Sequence, residues 1–247
     1  MPRGPRLVVP GVALHIVQRG HDRRDCFHHE TDYLVYLSHL RDLAIKTECL
    51  LHAYCLMTNH VHLLLTPSTP QSCARLMRNI GQGYVQYFNR RYKRSGTLWE
   101  GRFRSCLVES AQYVIACYRY IERNPVRAGM VPSASAYPWS SHGGNAGLAS
   151  NKLLAPHPEY LALASEEVSR RNAYRQLFVV DDDPAFLRAI RDATNGGFGL
   201  IGAQLKSTLT AEQQRRLERR PPGPSAKAEL ERNRRFADLR VGAPSPN

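Results

Sequence analysis

No stretch of this 247-residue chain approaches the roughly 18 consecutive apolar residues that a bilayer-crossing helix needs. The sequence therefore predicts no membrane span. The basic opening Met1-Pro2-Arg3-Gly4-Pro5-Arg6 leads into an apolar stretch broken by Pro10, Gly11 and His15, a poor match to a secretory signal. No C-x-x-C pair occurs among Cys26, Cys49, Cys55, Cys73, Cys106 and Cys117, which argues against a zinc ribbon or a thioredoxin-like redox motif. These cysteines lie in apolar segments and read as buried, reduced thiols rather than a disulfide framework. A cytoplasmic location is the expectation that follows. Acidic residues are scarce too: 21 Asp and Glu against 34 Lys and Arg leave a net charge of +13. That excess argues for a polyanionic partner, nucleic acid first, or else for a merely basic, soluble protein.

What is present divides by period. Apolar residues make up 43% of the chain, enough for a core. Residues 12–18 alternate as a strand, and 19–24 form a charged turn. Thr31 or Asp32 can cap a helix running to about residue 47, with Tyr33, Leu34, Leu37, Leu40, Leu43 and Ala44 at helical spacing. Residues 50–57 and 60–66 read as strands joined by the tight-turn signal Thr58-Asn59. Residues 72–92 read as a long helix, although Gly81 and Gly83 cost it stability. A strand over 102–109 and a helix over 112–123 follow. Asn124-Pro125 should end that helix, because the residue before proline disfavours helical backbone.

The order β-α-β-β-α-β-α predicts an α+β domain over residues 1–142. It is close to the ferredoxin-like pattern, an antiparallel sheet with helices on one face and the other face open for a ligand. After a loop at 132–147, short helices are expected over 159–163, 166–178, 184–194 and 204–220. They make residues 143–220 a small helical C-terminal extension. The Pro-, Gly-, Ala-, Arg- and Glu-rich composition of residues 221–247 predicts a disordered basic tail. No internal repeat is visible.

Three constellations carry chemistry. In His60-Val61-His62, strand alternation puts both imidazoles on one face and Val61, Leu63 and Leu65 on the other. Two neutral imidazoles with open positions for water and substrate oxygens suit a catalytic Mg²⁺ or Mn²⁺. Structural zinc would need two further ligands, and no matching Cys/His pair exists. A His-x-His pair alone fits a structural role equally well. Next, Tyr120 and Asn124 are four apart on a helix and share a face. A tyrosine hydroxyl can attack phosphorus and form a phosphotyrosine. The Asn124 amide can complete a metal shell or cap the helix. Tyr118 faces elsewhere and reads as core, and Glu122 is a weaker rival ligand. Finally, residues 75–127 hold eleven Lys and Arg against three Glu, interleaved with Tyr84, Tyr87, Phe88, Tyr92, Trp99 and Phe103. Cations that track phosphates and aromatics that stack on bases are the combination used on single strands. The run Trp99-Glu100-Gly101-Arg102-Phe103-Arg104 is the expected contact strip.

The segments His15-Ile16-Val17-Gln18-Arg19-Gly20, Tyr54 to Leu64, Gly96 to Phe103 and Tyr118 to Gly129 closely resemble the HUH single-tyrosine transposases. Among these, the REP-associated tyrosine transposases are most similar. The resemblance covers roughly residues 1–142 and is weaker through Phe178. It implies an HUH nuclease domain that cuts and rejoins single-stranded DNA beside hairpins through a 5′-phosphotyrosine. Tyr120 would be the nucleophile, with His60, His62 and Asn124 the ligands of Mg²⁺ or Mn²⁺. Arg19, Arg78, Arg91, Trp99, Arg102, Arg104, Arg123 and Arg127 are the residues expected on DNA. Related enzymes work as monomers or homodimers, and the sequence leaves both open. His21 stands where asparagine is common, and the chain after Gly197 departs from the family's basic ending. A domesticated binder of hairpin or single-stranded DNA that no longer cuts is the alternative.

Overall fold

The structure, a computed structural model, describes residues 6–218. The predicted tail over 221–247 lies outside the described residues. In chain order the elements are β1 (Ala13–Arg19), α1 (Glu30–Lys46), β2 (Cys49–Met57), β3 (His60–Pro67), α2 (Ser72–Arg91), β4 (Arg104–Val108), α3 (Ala111–Glu122), α4 (Asn124–Arg127), α5 (His142–Asn145), α6 (Pro158–Leu161), α7 (Glu167–Gln176), α8 (Pro184–Gly196), α9 (Ala203–Thr208) and α10 (Ala211–Leu217). The strands form one sheet of order β2-β3-β1-β4, antiparallel at every neighbour. Each crossover skips a strand, which is the split βαβ pattern of the ferredoxin-like fold.

Leu14, Ile16, Leu56, Val61, Leu63 and Leu65 point to one face and pack against Tyr36 and Leu40 of α1 and Leu76, Ile80 and Tyr84 of α2. Gly83, which costs α2 helical propensity, lets α1 approach: a Cβ there would lie 3.1 Å from the His39 ring. The opposite face was expected open, and here the sequence reading needs correction, because helices cover both faces. Ala13, Ala53, Cys55, Leu64, Cys106 and Val108 line it, under Val114, Cys117, Tyr118 and Ile121 of α3 and Ile190 and Ala193 of α8. β2 is buried almost without alternation, the signature of a strand covered on both sides. Its second face is built from small residues, so it reads weakly as apolar.

Both edges of the sheet are bonded by later chain. On β2, Leu56 N–H donates to the Trp139 carbonyl at 2.9 Å, Ser141 N–H to Tyr54 at 2.9 Å and Ala155 N–H to Leu51 at 2.7 Å. On β4, Leu200 N–H donates to Leu107 at 2.8 Å and Glu109 N–H to Leu200 at 3.0 Å. α8 begins at Asp183, whose carboxylate accepts from Ala185 N–H, and stops at Gly197 with φ 74°, the left-handed cap that glycine adopts freely. Two expected spans differ. Pro125 does not simply end a helix but opens α4, where its missing N–H costs nothing. The helix expected over 204–220 is two, because Thr210 forms a capping box with Gln213 and starts α10 afresh. All six cysteines are free and buried, and among the described residues no helix is long and apolar enough to cross a membrane.

Glu122, the rival ligand, holds the helical layer together. Its carboxylate is fully buried. Oε1 accepts from Ser141 Oγ at 2.6 Å and Asn145 Nδ2 at 2.8 Å, while Oε2 accepts from Tyr174 OH at 2.7 Å and faces His142 Nδ1 at 3.1 Å. Loss of this carboxylate would leave the buried Tyr174 hydroxyl and His142 ring without their acceptor, while Ser141 and Asn145 would keep bonds to Tyr54 and His52. Glu122→Ala is therefore expected to cost about 3–5 kcal/mol, and Glu122→Gln clearly less, as urea unfolding can measure.

Candidate active site

The β2–β3 hairpin turns through Thr58-Asn59 with Met57 opposite His60, and β1 sets Arg19 opposite His60 and Val17 opposite His62. The two histidines share the α3 side of β3, with ring centroids 4.9 Å apart. His15 lies on β1 diagonal to His62, within the reach of cross-strand side-chain pairs. The His15 and His62 rings stack at 5.2 Å, and His15 Nε2 lies 2.9 Å from His62 Nδ1. α3 crosses this spot. The Tyr120 ring stands edge-on to both, 5.7 Å from His62 and 5.6 Å from His15. The Arg127 guanidinium lies over the Tyr120 ring at 4.7 Å and also donates to the Tyr120 carbonyl.

Burial sets the charge state. It pushes His15 down to about 3. Burial, helped by Arg19, pushes His60 down to about 4. His62 falls well below the usual range, first through burial and then through His60, His15, Arg127 and Arg19. All three imidazoles are thus neutral near pH 7, the form that binds metal. His60 Nδ1 is engaged by Asn59 Oδ1 at 2.6 Å and His62 Nδ1 by His15. Nε2 of each histidine is the ring nitrogen left for an ion, so the donor set fits a divalent cation. Among the described residues, no three His, Cys, Asp or Glu side chains are grouped to hold a metal. Two nitrogen donors with the rest supplied by amide, water or substrate oxygen is the composition of an open site rather than a closed structural one.

Asn124 follows Tyr120 by one turn. Its Nδ2 donates to the Tyr120 and Ile121 carbonyls at 3.1 and 3.4 Å. The side chain thus caps the end of α3. Tyr118 is fully buried among Tyr160 and Tyr174, as its spacing predicts.

The basic residues fall into separate groups. Arg19, Arg102 and Arg104 line one narrow cleft with Glu100 and Asn195, and Arg104 donates to Asn195 Oδ1 at 2.6 Å. Arg78 lines a shallow groove with Gln82, Arg102 and Phe103. Arg91, at the end of α2, sits 3.6 Å from the buried Asp32 carboxylate. Arg123 and Arg127 converge with Arg119 on Asp182, at 3.0–3.4 Å. Trp99 needs correction. The residue is 5% exposed and packs near Tyr36 and Tyr84, so it chiefly supports the core and adds little surface to the groove it lines with Arg78 and Arg102. A tryptophan inside a basic run looks the same in sequence whichever way it turns. Two neighbours of the site, His15 and Asp182, went unread. The first had a signal, a histidine alternating with Val17 and Arg19 on an otherwise apolar strand.

Residues 8–124, a little under half of the chain, match the family model of the IS200-like transposases. One solved structure, a REP-associated tyrosine transposase bound to a REP hairpin, superposes with a TM-score of 0.51 at 17% identity, over 64% of this chain and 93% of that one. A putative transposase from Deinococcus radiodurans is 23% identical over 50% of this chain and 97% of its own, with a TM-score of 0.35. No curated protein matches the chain.

Proposed function

We propose that the protein is a metal-dependent single-stranded DNA transposase. In this reading it cuts and rejoins strands beside hairpins through a 5′-phosphotyrosine. The observation that carries it is the Tyr120 ring set 5.7 Å from His62 within one chain. His60 and His62 would hold Mg²⁺ or Mn²⁺, with the Asn124 amide oxygen as the candidate third donor. Bound there, the ion would polarise the scissile phosphate and offset charge gathering on its oxygens. Tyr120 Oη attacks phosphorus and gives up its proton. The bond to the 3′ oxygen breaks, and that oxygen takes up a proton as a free 3′-hydroxyl. The energy of the phosphodiester stays in the tyrosyl ester, so the 3′-hydroxyl of a second strand can attack it and release the phenol. Arg127 holds the ring by a cation–π contact and brings positive charge to the phenolate as it forms. Arg19, Arg102 and Arg104 track the strand's phosphates. Nucleophile and ligands come from the same subunit, so one copy suffices for a cut.

The test is incubation with a labelled hairpin-flanked oligonucleotide and Mn²⁺. A protein–DNA band that survives denaturing electrophoresis is expected. A salt-sensitive gel shift with no such band would instead identify a binder that has lost cleavage.

A further inference from the structure

Hydrogen-bond polarity at this site can be worked out from a single oxygen pair. Thr194 Oγ1, on α8, lies 2.7 Å from the Ile190 carbonyl oxygen. A carbonyl has no proton to offer, so the threonine's only proton lies on that line. Oγ1 can then only accept from its other neighbours, His15 Nδ1 at 2.8 Å and the Cys106 thiol at 3.2 Å. Two lone pairs meet two donors. His15 therefore carries its proton on Nδ1, and its Nε2 is a bare lone pair. The atom facing that lone pair, His62 Nδ1 at 2.9 Å, must be the donor. His62 is left with its lone pair on Nε2.

His60 is fixed by a separate route. Asn59 Nδ2 donates to the Arg23 carbonyl at 3.1 Å, which turns Oδ1 toward His60 Nδ1 at 2.6 Å. That nitrogen must be protonated, and again Nε2 is free. Two unconnected hydrogen-bond chains thus end in the same result, a pair of Nε2 lone pairs on one sheet face.

We propose that Thr194 and His15 are positioning residues that hold His62 as its Nδ1–H tautomer and so present Nε2 to the ion. The inference rests on the metal reading above and adds to it. It gives a task to α8, which lies some 60 residues beyond the end of the family match at residue 124. Thr194 and His15 are 3% and 0% exposed, so no water competes for the relay. The choice of nitrogen on a ligating histidine is set by the bond its other nitrogen makes. Here that choice passes through His15 from Thr194, 179 residues from His15 in sequence.

The experiment has a readout independent of cleavage. Two-bond ¹H–¹⁵N correlation spectra of histidine-labelled, metal-free protein at neutral pH report each tautomer. The wild type should show His15, His60 and His62 all protonated on Nδ1. In Thr194→Val, of the same shape but lacking the hydroxyl, His15 should move its proton to Nε2 and drive His62 to the Nε2–H form. His60 should not change. Mn²⁺ affinity, followed by electron paramagnetic resonance, should fall roughly 10–100-fold, the usual loss for a partner behind a ligating histidine. Thr194→Ser should restore both readouts. A wild-type His62 protonated on Nε2 would overturn the relay with no variant needed. So would a folded Thr194→Val protein with unchanged His62 signals and Mn²⁺ affinity. If the tautomers switch as described but neither protein binds Mn²⁺, the relay holds and the metal reading is what fails.

Discussion

Tyr120→Phe should leave no covalent protein–DNA band and lower strand cleavage by at least about 10³-fold, because a covalent route without its nucleophile has no substitute path. The change removes one oxygen and keeps the ring. Packing against His15 and His62 and the contact with Arg127 do not need that oxygen, so stability should shift by less than about 1 kcal/mol. DNA affinity, measured by fluorescence anisotropy at fixed salt, should stay within about threefold, since phosphate contacts dominate it. Cleavage that persists would place the nucleophile elsewhere. Tyr118 is a poor substitute, because it is fully buried and its hydroxyl accepts from His157 N–H.

The second large effect concerns the ion. His60→Ala, or chelation of the wild type by EDTA, should reduce cleavage by about 10³-fold. That is the scale set by several kcal/mol of lost charge stabilisation at the phosphate. His60 is the better choice for substitution than His62, whose removal would also strand the buried His15 Nε2. The two cores on either side of the sheet close without any ion. The unfolding midpoint in EDTA should therefore match that of the metal-free protein, while added Mn²⁺ raises it for the wild type and not for His60→Ala. Full cleavage in EDTA would remove the ion from the mechanism.

The parts of this structure that were readable in sequence are those set by local period. The hairpin at Thr58-Asn59 and its two histidines follow from alternation. Asn124 follows Tyr120 by one turn, across the joint between α3 and α4, and the ends of α8 are written in Asp183-Pro184 and Gly197. The remainder depends on contacts between distant segments. Ala53 and Cys55 carry no strong apolar signal, yet they floor the layer that α3 and α8 cover. Glu122 has the chemistry of a ligand, but Ser141, Asn145, His142 and Tyr174, 19 to 52 positions later, claim both its oxygens. The pairing of His15 with His62 needs the β1–β3 register, which no single strand encodes. Trp99 in its basic setting was indistinguishable from a stacking residue until the fold turned it inward.

The two rims of the sheet bear on how copies of this protein could associate. An exposed strand offers a row of free donors and acceptors to any extended neighbour, and self-association by strand addition begins there. Here the 139–155 segment already occupies one rim and Leu200 bonds to the other. A second copy seeking to extend the sheet would have to strip away three bonds on the first side or two on the second before making any of its own. Pairing between copies is thereby steered toward side-chain surfaces, and the rims remain guarded.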